Sequence, residues 1–206
     1  MFKCRICNQN NFYKYLDLGY TPPADDFLNN IRLSKSETYY PLRVQICNTC
    51  GLHHLDYIVP PDILYQNDYP YESSITATGR NHFYTFEKHV KESFDIPEQS
   101  LVIDIGSNVG VLLEGYKKCN MTVLGIDPAY EISQKANANG IETINDFFNY
   151  ELVKKIVLER GKATIVTGTN VIAHIHEHHE MMKGICHLLK DDGLFIFEAP
   201  YLLDLI

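Results

Sequence analysis

"SLVIDIGSNVGVLLEGYKK", residues 100–118, decides how the chain folds. An apolar run, LVIDI, enters a turn carrying two glycines, Gly106 and Gly110, and leaves in a segment with helical periodicity. A strand that passes through a glycine turn into a helix is the opening of a ligand-binding α/β unit. The pattern repeats downstream. TVLGID precedes the helical YEISQKANANG, a short strand around IETIN precedes NYELVKKIVLER, and ATIVTG precedes a helix near HHEMMKGICHLLK. A last apolar strand, LFIFEAP, follows. Short apolar strands alternating with amphipathic helices predict an α/β fold with a doubly wound, mainly parallel sheet. Upstream, RNHFYTFEKHVKESFD spaces Phe83, Phe86, Val90 and Phe94 along one helix face, which predicts a helix packed on that core.

The chain has 206 residues, 45% hydrophobic and 21% charged, enough for one good core plus a small module. Residues 1–60 are rich in turn signals and poor in helical periodicity, and Pro60 and Pro61 close them off. The expected organisation is a small N-terminal domain over residues 1–60, a linker and packing helix over 61–98, and the α/β domain over 99–206. A net charge of −8 and the absence of a basic stripe argue against nucleic acid as a partner. The polar opening MFKCRICNQNNF and the lack of any long apolar run argue against a secretory signal or a membrane partner, so a cytoplasmic protein is expected.

Four of the six cysteines form two pairs, Cys4 with Cys7 and Cys47 with Cys50. Without an export signal, paired cysteines read better as thiolate ligands than as disulfides. Two such pairs can supply four sulfurs to one tetrahedral Zn²⁺, with Gly51 supplying a permissive backbone after the second pair. The metal would replace a core that so small a module cannot build. His53 and His54 lie nearby as competing ligands, although four sulfurs fill the site. Cys119 and Cys186 stand alone in segments that read as ordinary core. The histidine-rich HEHHE, residues 176–180, has Glu180 where a zinc-protease helix needs its second histidine, and reads as a solvated face.

The glycine turn fails the dinucleotide pattern twice, because Asn108 and Val111 stand where the second and third glycines belong. What remains is Asp104, Gly106, Ser107, Asn108 and Gly110: one close backbone approach, a carboxylate at the mouth and no full phosphate cradle. That set suits a cationic ligand without phosphate, and S-adenosylmethionine is such a ligand. Asp127 closes the second strand where a carboxylate can accept from both ribose hydroxyls. Asp146 follows the third strand and could bind the adenine amino group, with Phe147 or Phe148 over its face. The competing reading is that Asp104 and Asp127 cap loops and the phenylalanines are core.

Four further stretches, "YPYESS" (residues 69–74), "SNVG" (107–110), "TNVIAH" (169–174) and "FEAPYLLDLI" (197–206), carry a resemblance. With the cysteine pairs they make the chain resemble the sugar C-methyltransferases that act at C-3 of nucleotide-linked 4-keto-6-deoxyhexoses. The resemblance runs over the whole chain in order. It implies a nucleotide-linked sugar as substrate and His174 and Tyr71 as acid, base or oxyanion donor. It further implies Tyr69, Ser73 and Ser74 as pocket liners and Asn170 as a contact of the methyl donor. In this chain Val109 stands where the family has a loop Asp, and Thr169 where it has the first Asn. The family continues with a Tyr-His-Glu-His segment and a second α/β domain, so the resemblance makes this chain the front portion, its domain incomplete at the C-terminal end. An uncovered sheet edge would then favour self-association or a C-terminal partner segment. Two rival readings stay open: a non-catalytic module that holds donor and zinc, and a methyltransferase for another small molecule.

Overall fold

The computed structural model describes residues 2–66 and 69–204. They divide into two units, Met1–Pro70 with His176–His179, and Tyr71–Ile175 with Glu180–Ile206.

The first unit carries strands β1 (Phe12–Thr21), β2 (Tyr40–Cys47) and β3 (His53–Leu55) in an antiparallel sheet of order β1-β2-β3, followed by a short helix α1 (Pro61–Tyr65). The sequence reading missed this sheet. Among its described residues only Cys4, Gln45, Cys47 and His54 are fully buried, so it has almost no apolar core. The alternation that marks a half-buried strand is therefore absent: most of β1 faces solvent.

The second unit begins with helix α2 (Ala77–Ser93), whose N-cap Thr76 accepts from the N–H of Gly79 at 3.0 Å. Then come β4 (Leu101–Ile105), α3 (Val111–Lys118), β5 (Thr122–Ile126), α4 (Tyr130–Ala138), β6 (Thr143–Ile144), α5 (Tyr150–Arg160), β7 (Ala163–Thr169), α6 (His178–Leu188) and β8 (Leu189–Glu198). The five strands are parallel in the order β6-β5-β4-β7-β8. The chain builds outward from β4 through β5 to β6, then returns to the other side of β4 as β7. That reversal makes a switch point beside β4, where open α/β sheets bind ligands.

Both faces of the sheet are covered, which is why β4 is apolar at nearly every position. Leu101, Ile103 and Ile105 pack with Leu152, Val153 and Ile156 of α5 and Met181, Ile185 and Leu188 of α6. Val102 points the other way, toward Leu112, Leu113 and Tyr116 of α3, Ala136 of α4 and Val90 of α2. The predicted face of α2 needs one correction: the helix ends at Ser93, and Phe94 is its exposed C-cap residue. The same face of the helix also carries the buried Glu87, which accepts from the Cys119 thiol at 3.1 Å. Cys186 is likewise exposed on α6, not core. Among the described residues no helix is long and apolar enough to cross a membrane.

Gly125, inside β5, gives the sheet its fit beneath the glycine turn. A Cβ there would collide with Ser107 Oγ of the glycine turn and lie 2.7 Å from Thr143 Oγ1 of β6. Gly125→Ala is therefore expected to lower stability by about 1–3 kcal/mol, the cost of overpacking a closed core, read as a shift of the urea midpoint at unchanged slope.

Candidate active site and metal centre

Four sulfurs meet at one end of the first unit. The pairing of Phe12 with Cys47 across β1 and β2 draws the two distant cysteine turns together. Asn48 fastens them, its N–H donating to Asn11 O and its side-chain amide to Asn11 Oδ1, both at 2.9 Å. Each turn closes in the same way. The N–H of Asn8 returns to Cys4 O at 3.0 Å and that of Gly51 to Cys47 O at 2.8 Å. Both closing residues are left-handed, with φ of 59° at Asn8 and 77° at Gly51.

The thiols are free. Cys4 and Cys50 sulfurs lie 3.5 Å apart, as do those of Cys7 and Cys47, and all four lie within 4.8 Å of one another. A tetrahedral zinc with bonds of about 2.3 Å needs sulfur separations of about 3.8 Å, so the set fits the ion. Electrostatics point the same way. Burial works against charge on Cys47, yet the N–H groups of Cys50 and Thr49 and the neighbouring sulfurs bring its thiol down to about 6. The Gln9 N–H favours charge on Cys7, but burial and the other three sulfurs push it up to about 12. Four thiols this close cannot all ionise without a cation between them. His53 and His54 are not ligands: His53 Nδ1 bonds the Tyr15 hydroxyl at 2.9 Å, and His54 packs between Phe2 and Phe12. Among the described residues this is the only cluster of histidine, cysteine and acidic side chains with metal-holding geometry, so HEHHE does not form one.

The second site follows β4. The turn from Gly106 to Gly110 runs from the end of β4 to the N-cap of α3. Gly106 is left-handed at φ 67°, and a Cβ there would lie 2.7 Å from a methyl of Val171. Only glycine lets the turn pass under the segment that leaves β7. Asp104 is buried and accepts from the Thr167 hydroxyl at 2.6 Å. Burial pushes its carboxyl up to about 7, against the pull of that hydrogen bond and with help from the charge of Asp127. Asp127 is buried too, and each oxygen accepts a backbone N–H at 2.9 Å, one from Asn108 and one from Ala129. Burial raises its carboxyl while those two donors oppose the shift. Ser107 Oγ is buried without a hydrogen-bond partner among the described residues.

Asn108 has a role the sequence did not announce. Its side-chain oxygen accepts from the N–H of Ser73 and of Val109, each at 2.9 Å, and its amide donates to Tyr71 O at 2.9 Å. The side chain thus clamps the Tyr- and Ser-rich segment onto the glycine turn. Tyr71 itself is exposed, Ser73 is buried, and the guanidinium of Arg80 in α2 holds Ser74 O.

The other candidates sit at the carboxyl ends of neighbouring strands. Asp146 is exposed, and one oxygen accepts the N–H of Phe147 at 2.8 Å. Phe148 packs into the core against Gly184, leaving Phe147 half-buried above it. Asn170 directly follows β7 and is bound to Glu198, and His174 lies exposed at the end of a 3₁₀ turn, Ile172–His174. Tyr69 belongs to the first unit, where its ring meets that of Tyr65 edge-on. The sequence reading did not single out Thr167, His82 or Glu198. Glu198 had one visible signal, a carboxylate directly after an apolar strand.

The zinc site generates a direct test. The chain as purified is expected to carry about one zinc, and Cys7→Ser or chelation should unfold the first unit, because ligation energy there takes the place of a core. Metal analysis with hydrogen exchange checks it: protection should vanish in β1 to β3 and persist in β4 and β7.

Residues 4–65 match the family described as "Putative zinc binding domain", and residues 79–204 match the family described as "Methyltransferase domain". The sequence is 33% identical to the C-methyltransferase NovU of Streptomyces niveus over 99% of this chain and 48% of that protein. It is 29% identical to a ubiquinone biosynthesis O-methyltransferase of Glaesserella parasuis over 48% of this chain and 44% of that protein. The chain spans about half the length of the curated relatives it matches. The crystal structure of PH0226 from Pyrococcus horikoshii OT3 shares the fold, with a TM-score of 0.53 at 20% identity over 66% of this chain and 60% of that one. Since the second of those matches covers more than half of its residues, the chain belongs to the methyltransferase-domain family, with a sheet of the S-adenosylmethionine-dependent type and an N-terminal zinc-binding unit.

Proposed function

We propose that the chain supplies the zinc module and the donor-binding domain of a C-methyltransferase acting on a nucleotide-linked keto-deoxysugar. The observation that carries the reading is the clamp between Asn108 and the backbone of Tyr71 and Ser73. It makes the donor turn and the Tyr- and Ser-rich segment one hydrogen-bonded piece, so an acceptor beside Tyr71 stands next to the donor. The likeness to a C-methyltransferase along nearly the whole chain supports the choice of carbon as acceptor. A cytoplasmic location belongs to the same reading, because thiolate ligands persist where thiols stay reduced.

S-adenosylmethionine, when bound, supplies an electrophilic methyl group. Asp104, Gly106, Ser107, Asn108 and Gly110 would line its methionine end. Asp127 would take the ribose hydroxyls on the lone pairs its two backbone donors leave open, and Asp146, Phe147 and Asn170 would frame the adenine and the entrance. On the acceptor side, a carbon becomes nucleophilic only when a proton α to the ketone is removed and the enolate oxygen is stabilised. His174 is assigned the proton and the Tyr71 hydroxyl the developing oxyanion, with Ser73 and Ser74 lining the sugar pocket. Neither His174 nor Tyr71 is buried, so both can reach a ligand.

Asp127 provides the first test. In Asp127→Asn the amide NH₂ must face the N–H of Asn108 or of Ala129, donor against donor. Affinity for S-adenosylmethionine should fall about 10- to 100-fold, the cost of one unmade buried hydrogen bond and more. Calorimetric titration reads it, with a nicotinamide dinucleotide as the ligand that should not bind. Unchanged affinity would remove Asp127 from the site.

Asp104 gives a pH dependence. Its folded value is raised, so the folded chain holds a proton there that the unfolded chain gives up above about pH 4. That contribution to stability is complete below about pH 4 and is lost as the pH rises through 7. Without donor, the melting temperature should fall between pH 5 and 8 more steeply than in Asp104→Asn. A cationic donor favours the ionised carboxylate, so its affinity should rise over the same window. Parallel melting profiles of the two proteins would contradict this.

A further inference from the structure

We propose that Glu198 is a positioning residue, a latch that fixes the turn after β7 to helix α2 and so sets the path of the segment that carries His174. The latch concerns the same site as the proposed transfer and rests on that reading for what His174 does there.

Glu198 is the last residue of β8 and pairs with Thr169, the last residue of β7. Just beyond that rung Asn170 turns left-handed at φ 56°, and both of its donors go to Glu198. Its N–H reaches the Glu198 carbonyl at 2.7 Å, and its side-chain amide reaches Oε1 at 2.8 Å. The other carboxylate oxygen, Oε2, lies 2.6 Å from Nε2 of His82 on α2. One residue therefore holds three contacts to two elements.

A half-exposed histidine–carboxylate pair taken alone contributes little, because solvent screens it. The double contact to Asn170 distinguishes this one: it fixes the direction in which the chain leaves β7. Two consequences follow within the next four residues. Val171 is set against Gly106, so closely that no side chain fits between them. The 3₁₀ turn Ile172–His174 is then closed by the His174 N–H on Val171 O at 2.9 Å.

The far side of the latch is anchored as well. The start of α2 is held by the Thr76 cap and by Arg80 on Ser74 O, and Ser73 is held by Asn108 of the glycine turn. The contacts close a ring: glycine turn, Ser73 and Ser74, α2, Glu198, Asn170, Val171 and the glycine turn again. Opening it at Glu198 leaves the segment that carries His174 held by the packing of Val171, Ile172 and Ile175 against the core, without the polar contact that fixes its start.

The test is hydrogen exchange on the full chain, beside calorimetric titration with S-adenosylmethionine, in Glu198→Ala, Glu198→Gln and His82→Ala. In Glu198→Ala, exchange across residues 169–175 should rise about tenfold, as loss of a charge-assisted hydrogen bond with its neighbours permits local opening. Donor affinity should drop about threefold or more, through the loosened contact of Val171 with Gly106. The melting temperature should stay within about 2 °C, because the core is intact. Glu198→Gln should restore most of the protection, since its amide oxygen still accepts from Asn170 and its NH₂ can donate to neutral His82. His82→Ala should fall between them. Unchanged exchange over residues 169–175 in Glu198→Ala overturns the latch. So does faster exchange spread evenly over the sheet with a lowered melting temperature, the mark of a merely structural role. If the unaltered chain fails to bind S-adenosylmethionine, the proposed function falls, and the exchange of residues 169–175 still decides the latch.

Discussion

The contact on which the functional half of the molecule depends is made by one asparagine side chain. Asn108 sits in the glycine turn with left-handed backbone at φ 51° and is almost wholly buried. Its side chain is satisfied at both ends by residues more than thirty positions earlier, while its own N–H is held by Asp127. Leaving such a group unpaired in the interior costs about 1–3 kcal/mol for each orphaned atom. The turn, the tip of β5 and the segment around Tyr71 therefore keep their places together or not at all. A residue that a motif would assign to the ligand here serves first to hold the pocket's wall.

Charge explains what that pocket can accept. Two buried carboxylates, Asp104 and Asp127, lie close enough that the charge of one raises the other. Such a pair repels phosphate and attracts a cation, whereas a dinucleotide turn offers bare N–H groups to a diphosphate. In this turn Asn108 spends its N–H on Asp127, and the Val109 N–H is taken by the Asn108 side chain. The donors that would cradle a phosphate are consumed inside the protein. Methionine ammonium and sulfonium groups need no such cradle, which agrees with a sheet of the S-adenosylmethionine-dependent type.

How much of this was legible in the sequence follows from what holds each part together. The five parallel strands read clearly because two covered faces demand continuous apolar runs such as LVIDI. The cysteine pairs read clearly because ligand spacing is itself a pattern. The three-stranded sheet did not read, since its strands bury almost nothing and periodicity records burial. Phe94 and Cys186 were misplaced for the converse reason: apolar character suggested core where the helix had ended or turned outward. The clamp and the latch join residues 35 and 116 positions apart through side-chain hydrogen bonds. Bonds of that kind leave no local trace in composition or spacing.

The two sides of the candidate site are built to different standards, and the difference has a physical reason. Asp104, Ser107, Asn108 and Asp127 are all buried, fixed by the core of the sheet on one side and by mutual hydrogen bonds on the other. Tyr71 and His174 are exposed, on segments that contribute no fully buried side chain near them except Ser73. Burial can hold the donor side at no further cost, because its residues continue the strands. On the side proposed for the acceptor the apolar support is weaker, because Val171, Ile172 and Ile175 pack against the core only partly buried. Long-range polar contacts add to that packing, one at each end: Asn108 for the segment of Tyr71 and Glu198 for the turn of His174. Polar contacts at a partly wet surface are worth little singly. Arranged in a closed ring, each shortens the range over which the others can stray, and the ring as a whole can define a site that no one of its bonds would hold.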